Sequence, residues 1–328
     1  MRTERARRRG GALLAVLWLT AALSAIAFSV ASTVRSETGR TTSSIERLKA
    51  EYLASGAVER ALVYMQWGQA NKNPDGTPRF EPGQTRLELE FPAGHARVDI
   101  LPEFAKMNVN SSRPEDLLRL LLALGVEPGR ANEIAAAIVD WRTPHPPEAA
   151  TLFDQYYLSR NPSFQARHAS FEEIEELLFV KGITPELFYG SYERDKEGRL
   201  TPRGGLRDCL SVYGSAGRVD ANAADPAVLA AVGLTPESIA ALVEMRRVRP
   251  FRNMNELAAF GHDAPGFERL SVGGTGVFTI RATAQPRLQN GSLSDARRSV
   301  AAMVKFLDPA KFQEPYHVLR WYGNVWVE

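Results

Sequence analysis

The 328-residue chain is long enough for about two domains, and its 44% hydrophobic and 24% charged content is ordinary for a globular protein. The formal charge is only +2, and the residues before position 11 supply more than that, so the remainder lacks the basic balance of a nucleic-acid binder. One cysteine, Cys209, excludes an intramolecular disulfide and reads as a small buried apolar side chain.

Residues 10–34 contain no charge and follow the basic cluster Arg7, Arg8, Arg9. A bilayer core about 30 Å thick needs roughly 20 apolar residues as helix, so this run is long enough to span. The basic end should stay on the cytoplasmic side. A cleaved secretory signal would use Ser29-Val30-Ala31 or Ala25-Ile26-Ala27 as its small-residue site, and a plain signal anchor would not be cut. A type IV pilin-like leader would be cut between Gly10 and Gly11, leaving the apolar helix on the mature chain. The continuation favours this third reading. Residues 43–67 have no proline, and Ile45, Leu48, Tyr52, Val58, Leu62 and Met65 recur at helical spacing. Residues 11–67 as one helix would reach roughly 85 Å, the form of a pilin stalk. Tyr52, Val58, Leu62 and Met65 are the expected packing stripe.

Residues 69–84, rich in Asn, Gly and Pro, read as a loop. Residues 86–91 and 96–101 alternate polar and apolar around Pro92-Ala93-Gly94-His95, which predicts a hairpin. From Lys106 to about Leu270 the pattern is helical and internally repeated. The segment from Asn108, Val109 and Asn110 to Pro114 and Leu117 aligns with that from Asp220, Ala221 and Asn222 to Pro226 and Leu229. Each copy places Pro at a first helical position and Gly125 or Gly233 at the stop. Each then adds a second helix and a Phe-x-x-(Ile/Met)-x-Glu-Leu segment, at Phe171 and at Phe251. Residues 143–169, rich in Pro and aromatics, expand the first copy. Strand patterns return at 277–282, 299–307 and 318–327, so a helical unit is inserted in one sheet. The predicted class is α+β: leader 1–10, stalk 11–68, a pilin-like β domain from 69–105 and 270–328, and an inserted all-α domain at 106–269.

The repeat resembles the helix-hairpin-helix fold of DNA-binding modules, which grip phosphate with the amides of a Gly-x-Gly hairpin. Here each hairpin contains a Pro, and the first presents Glu127. Nucleic acid is therefore not an expected partner, although a membrane-anchored DNA receptor of a competence pilus is the alternative function. Catalysis has no visible basis. His95, His145, His168, His262 and His317 show no metal spacing, and no P-loop or nucleophile elbow occurs. Asp140, Glu148 and Asp154 surround the 143–169 segment and are the candidates for a hard cation such as calcium. The simpler reading is surface acids near a loop.

The chain resembles the type II secretion system minor pseudopilin K family. The resemblance rests on the leader, Asn108-Val109-Asn110, Asp140-Trp141, Asp154-Gln155-Tyr156-Tyr157, Glu176 to Gly182, and Arg218 to Asn222. Most pilins carry Glu at mature position five, and this family lacks it; here Ala15 occupies that position. The resemblance implies a non-enzymatic minor pseudopilin at the tip of the periplasmic pseudopilus. It would be anchored in the bacterial inner membrane by a single span. The implied partners are the I and J minor pseudopilins, with H a further candidate, the inner-membrane assembly platform and the prepilin peptidase. Two departures stand out. Arg142-Thr143-Pro144-His145 follows Asp-Trp where relatives often have further acids, which bears on any calcium site, and the disulfide some relatives have is impossible here.

Overall fold

The first proline is Pro74, and nothing before it blocks helical hydrogen bonding, so α1 (Glu4–Trp67) runs unbroken for 64 residues. The structure, a computed structural model, describes residues 4–68, 70–146, 150–194, 197–261, 264–274, 276–308 and 310–323, without the side chains of 4–10 and 260. Along the apolar run the hydroxyls stay inside the helix: Thr20 Oγ1 donates to the Leu17 carbonyl and Thr33 Oγ1 to the Ser29 carbonyl, both at 3.0 Å.

The two halves of α1 differ in what covers them. Between Leu13 and Val34 the large apolar side chains lie in the open, and Trp18 is 73% exposed. From Ala50 onward one face is sealed, with Ala50, Ala54, Ala57, Val58, Ala61 and Leu62 all fully buried. That face packs on a five-stranded antiparallel sheet made of β1 (Arg86–Phe91), β2 (Gly94–Pro102), β9 (Val277–Pro286), β10 (Arg298–Phe306) and β11 (Tyr316–Tyr322), in the order β1-β2-β9-β10-β11. Alternation puts Leu87, Val98, Ala282 and Val300 in one cross-strand row under the helix, beside the row Ile100, Ile280 and Ala302. The far face is polar: Arg86 donates to the buried Asp99 carboxylate at 3.0 Å, and Thr283 and Ser299 share a hydrogen bond of 2.7 Å.

The stalk stripe needs correction at one position. Val58 and Leu62 are in the core and Met65 packs beside them, but Tyr52 is 73% exposed. At 100° per residue Tyr52 lies about 120° round the helix from Val58, so the four residues never shared one face. Ala50, Ala54, Ala57 and Ala61, which lie outside the stripe, complete the buried face beside Val58 and Leu62. The hairpin is also tighter than its turn chemistry suggested. Phe91 pairs with Gly94, leaving only Pro92 and Ala93 between the strands.

The inserted unit leaves the sheet after β2 and re-enters at β9, which are hydrogen-bonded neighbours with Pro102 opposite Phe278. It has its own hydrophobic core, separate from the one under the stalk. Helices dominate it: α2 (Pro114–Ala123), α3 (Pro128–Arg142), α4 (Leu152–Leu158), α5 (Pro185–Tyr189), α6 (Leu206–Cys209), α7 (Pro226–Ala231), α8 (Pro236–Val248) and α9 (Met254–Gly261). Beyond the expected helices it carries short two-stranded ladders, pairing β3 (Met107–Asn108) with β6 (Leu210–Ser211), β4 (Ser191–Arg194) with β5 (Leu200–Arg203), and β7 (Val219–Asp220) with β8 (Leu270–Ser271). Cys209 is fully buried there, and desolvation pushes its thiol well up.

The sequence repeat is a repeat of hydrogen bonds. Asn110 accepts the Phe171 amide at 2.7 Å and donates to the Phe171 carbonyl at 3.0 Å. Asn222 does the same to Phe251, at 2.8 and 2.9 Å. Arg142 bridges the Val109 and Ser112 carbonyls, and Arg246 bridges those of Ala221 and Ala224. Gly125 at φ 72° and Gly233 at φ 107° make the two turns, conformations that a side chain disfavours. The modules meet where α2 packs on α7, around Asp116. Its carboxylate, 1% exposed, binds Arg269 at 2.9 and 2.8 Å, Arg113 at 3.1 Å and also Arg119, which reaches the Ala231 carbonyl at 2.8 Å.

Truncating Leu62→Ala should cost about 2–5 kcal/mol in chemical denaturation, because the cavity opens in a sealed seam. Tyr52→Ala should stay within about 0.5 kcal/mol in the same measurement. Burial by itself raises the Asp116 carboxyl, but the Arg269 and Arg113 hydrogen bonds outweigh it and hold it below the usual carboxylate range. A depressed folded-state value gives stability that is present above the unfolded value near 3.9 and lost as pH falls through the folded one. Asp116→Asn should therefore cost about 3 kcal/mol at neutral pH, with the gap to the parent closing below about pH 4. A gap independent of pH would mean that packing, not charge, holds the modules together.

Candidate functional site

The described residues contain one helix long and apolar enough to cross a membrane, and its apolar stretch is exposed throughout. Gly11 and Ala15 lie on this exposed stretch, and the backbone is helical straight through Gly10 and Gly11. Position fifteen thus offers a methyl group where a carboxylate would require a partner for its charge.

Where the stalk, the loop before β1 and the inserted unit meet there is a cleft of about 350 Å³ lined by Met65, Phe80, Ile100, Phe104, Phe278 and Phe306. Across this seam Arg252 pairs with Glu81 at 3.3 Å, and the Asp220 carboxylate accepts the Gly273 amide at 2.8 Å. Arg320 on β11 pairs with Glu173 of the insert. These contacts fix where the insert sits on the upper end of the sheet.

The helix-hairpin-helix mouths are closed by the chain itself. The Glu127 carboxylate accepts the Gly129 amide at 2.9 Å and the Arg130 amide at 3.0 Å, the positions a phosphate would take at the start of α3. At the start of α8 the Thr235 hydroxyl accepts the Ser238 amide at 3.3 Å.

The expansion of the first module folds against the end of α3 around an aromatic nest. Tyr157 is fully buried, 5.4 Å edge-on from Trp141, and Trp141 stacks on Phe171 at 6.2 Å. Beside this nest the structure assembles a group that sequence spacing did not reveal. His145 and His168, at the two ends of the expansion, approach with Nε2 to Nε2 at 2.7 Å. Asp154 completes the group, its Oδ1 at 2.7 Å from His168 Nε2 and its Oδ2 at 3.5 Å from His145 Nε2. A capping box at α4 fixes Asp154: Oδ2 accepts the Thr151 amide at 2.8 Å while Thr151 Oγ1 accepts the Asp154 amide at 3.2 Å. Burial alone would raise the Asp154 carboxyl, but the Thr151 amide and His168 outweigh it and lower it.

Of the three acids expected to face a cation, Asp154 is in this group and Asp140 is a neighbour, accepting from Thr151 Oγ1 at 3.3 Å. Desolvation raises the Asp140 carboxyl. Glu148 lies outside the described residues. His145 and His168 stand 23 positions apart and show no metal spacing; the signal the sequence does carry is that they bracket one Pro-rich segment. Calcium takes six to eight oxygen ligands, and two inward-facing imidazoles do not fit that demand.

Residues 100–190 match the family model described as type II secretion system (T2SS), protein K. A type II secretion system protein K from Pectobacterium carotovorum is 29% identical over 202 residues, covering 56% of this chain and 61% of the relative. The Klebsiella pneumoniae protein of the same name is 25% identical over 197 residues, covering 56% of this chain and 60% of the relative. The chain thus spans about three fifths of the length of these curated relatives. The fold is similar to a chain in the crystal structure of the GspK-GspI-GspJ complex from the type 2 secretion system of enterotoxigenic Escherichia coli. That match has a TM-score of 0.55 at 18% identity and covers 86% of this chain and 98% of the other.

Proposed function

We propose that the chain is a minor pseudopilin at the tip of a type II secretion pseudopilus, starting filament assembly and supporting export across the outer membrane. The chain's similarity to type II secretion system protein K supports this reading. The observation that carries it is the division of α1. One half is sealed on its own sheet and the other is an unpartnered apolar rod, so the protein is completed only by a bilayer and by other stalks. The I and J minor pseudopilins are the proposed stalk partners, in line with the complex in which the similar fold occurs. H and the inner-membrane assembly platform are further partners in this reading. The span would sit in the inner membrane with the remaining chain in the periplasm.

Tip placement follows from two features. A carboxylate centred in a membrane segment costs roughly 2.5–3.5 kcal/mol on insertion scales and therefore seeks a partner on a neighbouring subunit. Ala15 removes that need. The insert, of about the mass of a second domain, stands on the sheet end away from the span and would collide with a subunit stacked above.

Prepilin peptidase should remove residues 1–10, leaving Gly11 as the mature N-terminus. Intact-mass measurement reads this directly, and a new N-terminus at Phe28 or Ser32 would replace the pilin reading with ordinary secretion. The insert allows a second test. Because it joins paired neighbours and has its own core, replacing residues 106–269 with a short Gly/Ser linker should leave the stalk–sheet core folded. The shortened chain should still be processed and bind partner stalks, but should appear along filaments rather than only at their ends, with secretion impaired. Strict tip placement by this variant, seen by imaging labelled protein, would transfer the capping role to Ala15.

A further inference from the structure

We propose that His145, His168 and Asp154 bind a first-row divalent transition-metal ion, zinc foremost, which staples the 143–169 segment across the end of α3. The argument starts from the outer nitrogens. His145 Nδ1 lies 3.0 Å from the Pro146 carbonyl and His168 Nδ1 lies 3.2 Å from the Asp140 carbonyl. A carbonyl oxygen only accepts, so each Nδ1 must carry the proton. With neutral rings each Nε2 then faces inward bare, the two 2.7 Å apart, towards a carboxylate that also only accepts. Three lone-pair donors converging on one point repel unless a cation or an extra proton lies among them.

The geometry suits an ion. All three ligand atoms lie within 4.8 Å of one another. Zinc binds imidazole nitrogen and carboxylate oxygen at about 2.0–2.2 Å, which sets tetrahedral ligand edges of about 3.3 Å. The two contacts of 2.7 Å, between the Nε2 atoms and from His168 to Asp154 Oδ1, and the 3.5 Å from His145 to the other Asp154 oxygen bracket that value, so side-chain shifts of about half an ångström admit the ion. The Nδ1–H to carbonyl bonds are the outer-shell arrangement that orients metal-bound histidines. Asp154 is held by its capping box and need not reorganise. The three side chains are 12–18% exposed, which leaves a path for the ion and room for water as fourth ligand. Two nitrogens and one oxygen suit a borderline ion far better than calcium. With one cysteine and no disulfide available, such a cross-link would tie both ends of the expansion to α3 by other means.

The test uses the full chain purified in detergent and stripped with a chelator. Titrated cobalt(II) should give one equivalent of intense visible absorption, which zinc then displaces. Zinc at about a hundredfold over its dissociation constant should raise the unfolding midpoint by about 5 °C, and equal calcium should leave it unchanged. His145→Ala and His168→Asn should each weaken cobalt binding at least about 100-fold, more than loss of an outer-shell partner gives. Asn is chosen at 168 because the backbone there has φ 47°, which Asn tolerates. Both variants should keep the metal-free midpoint of the parent, which separates lost ligation from lost fold. Absent cobalt absorption, binding unaltered in both variants, or stabilisation by calcium in place of zinc would each overturn the proposal; the first would mean that a shared proton fills the gap. The assay does not depend on tip placement, so its failure leaves the secretion reading standing.

Discussion

The seam between α1 and the sheet governs the molecule. It is built from small side chains on both sides: Ala50, Ala54, Ala57 and Ala61 on the helix, with Ala96, Ala282, Ala284 and Ala302 on the strands. Small residues let backbones approach closely, so the contact is dense and intolerant of sliding. The helix position along the sheet is thereby fixed, and the remaining apolar half must project. An exposed apolar surface of that extent is not sustained in water, and it has the length and composition of a membrane span.

The sheet in turn dictates where a large insertion is tolerated. β2 and β9 are adjacent and antiparallel, so their connection could have been a short turn. Closing a long loop instead costs little, since loop-closure entropy grows with the logarithm of length. The inserted unit offsets that cost with a core of its own. Asp116, reached by Arg113 and Arg119 from its own module and by Arg269 from beyond the other, makes the two copies one body. A buried carboxylate with one arginine would be expensive to desolvate; several arginines and the geometry of two parallel bonds from Arg269 offset it.

Much of this was legible in the sequence because it rests on local periodicity. The stalk, the first hairpin, the return of strands after position 270 and the duplicated module all carry a period or a turn signal. The two-residue ladders of the insert do not, since Met107-Asn108 and Val219-Asp220 are too short to show alternation. Tyr52 has the apolar character of a packing residue but the helical angle of an exposed one, while alanines, neither strongly apolar nor polar, form much of the interface. The His145–His168 pair was invisible for a different reason. Its spacing is set by how residues 143–169 fold back on Trp141 and Tyr157, and no local pattern encodes that return.

The duplicated module shows how a fold and a binding mode part company. Both copies keep the glycine turn and the Asn-to-Phe and Arg-to-carbonyl bonds that hold a helix hairpin together. What makes such a hairpin grip phosphate is a set of free amides at the mouth of the second helix. Here Glu127 and Thr235 satisfy those amides from within the chain. A phosphate would have to displace a carboxylate that already has two amide bonds and whose charge opposes its arrival. The cost is twofold, lost hydrogen bonds and like-charge repulsion, and no excess of basic residues in the composition compensates it. The module therefore keeps the helix-hairpin fold with its phosphate-facing amides already occupied from within the chain.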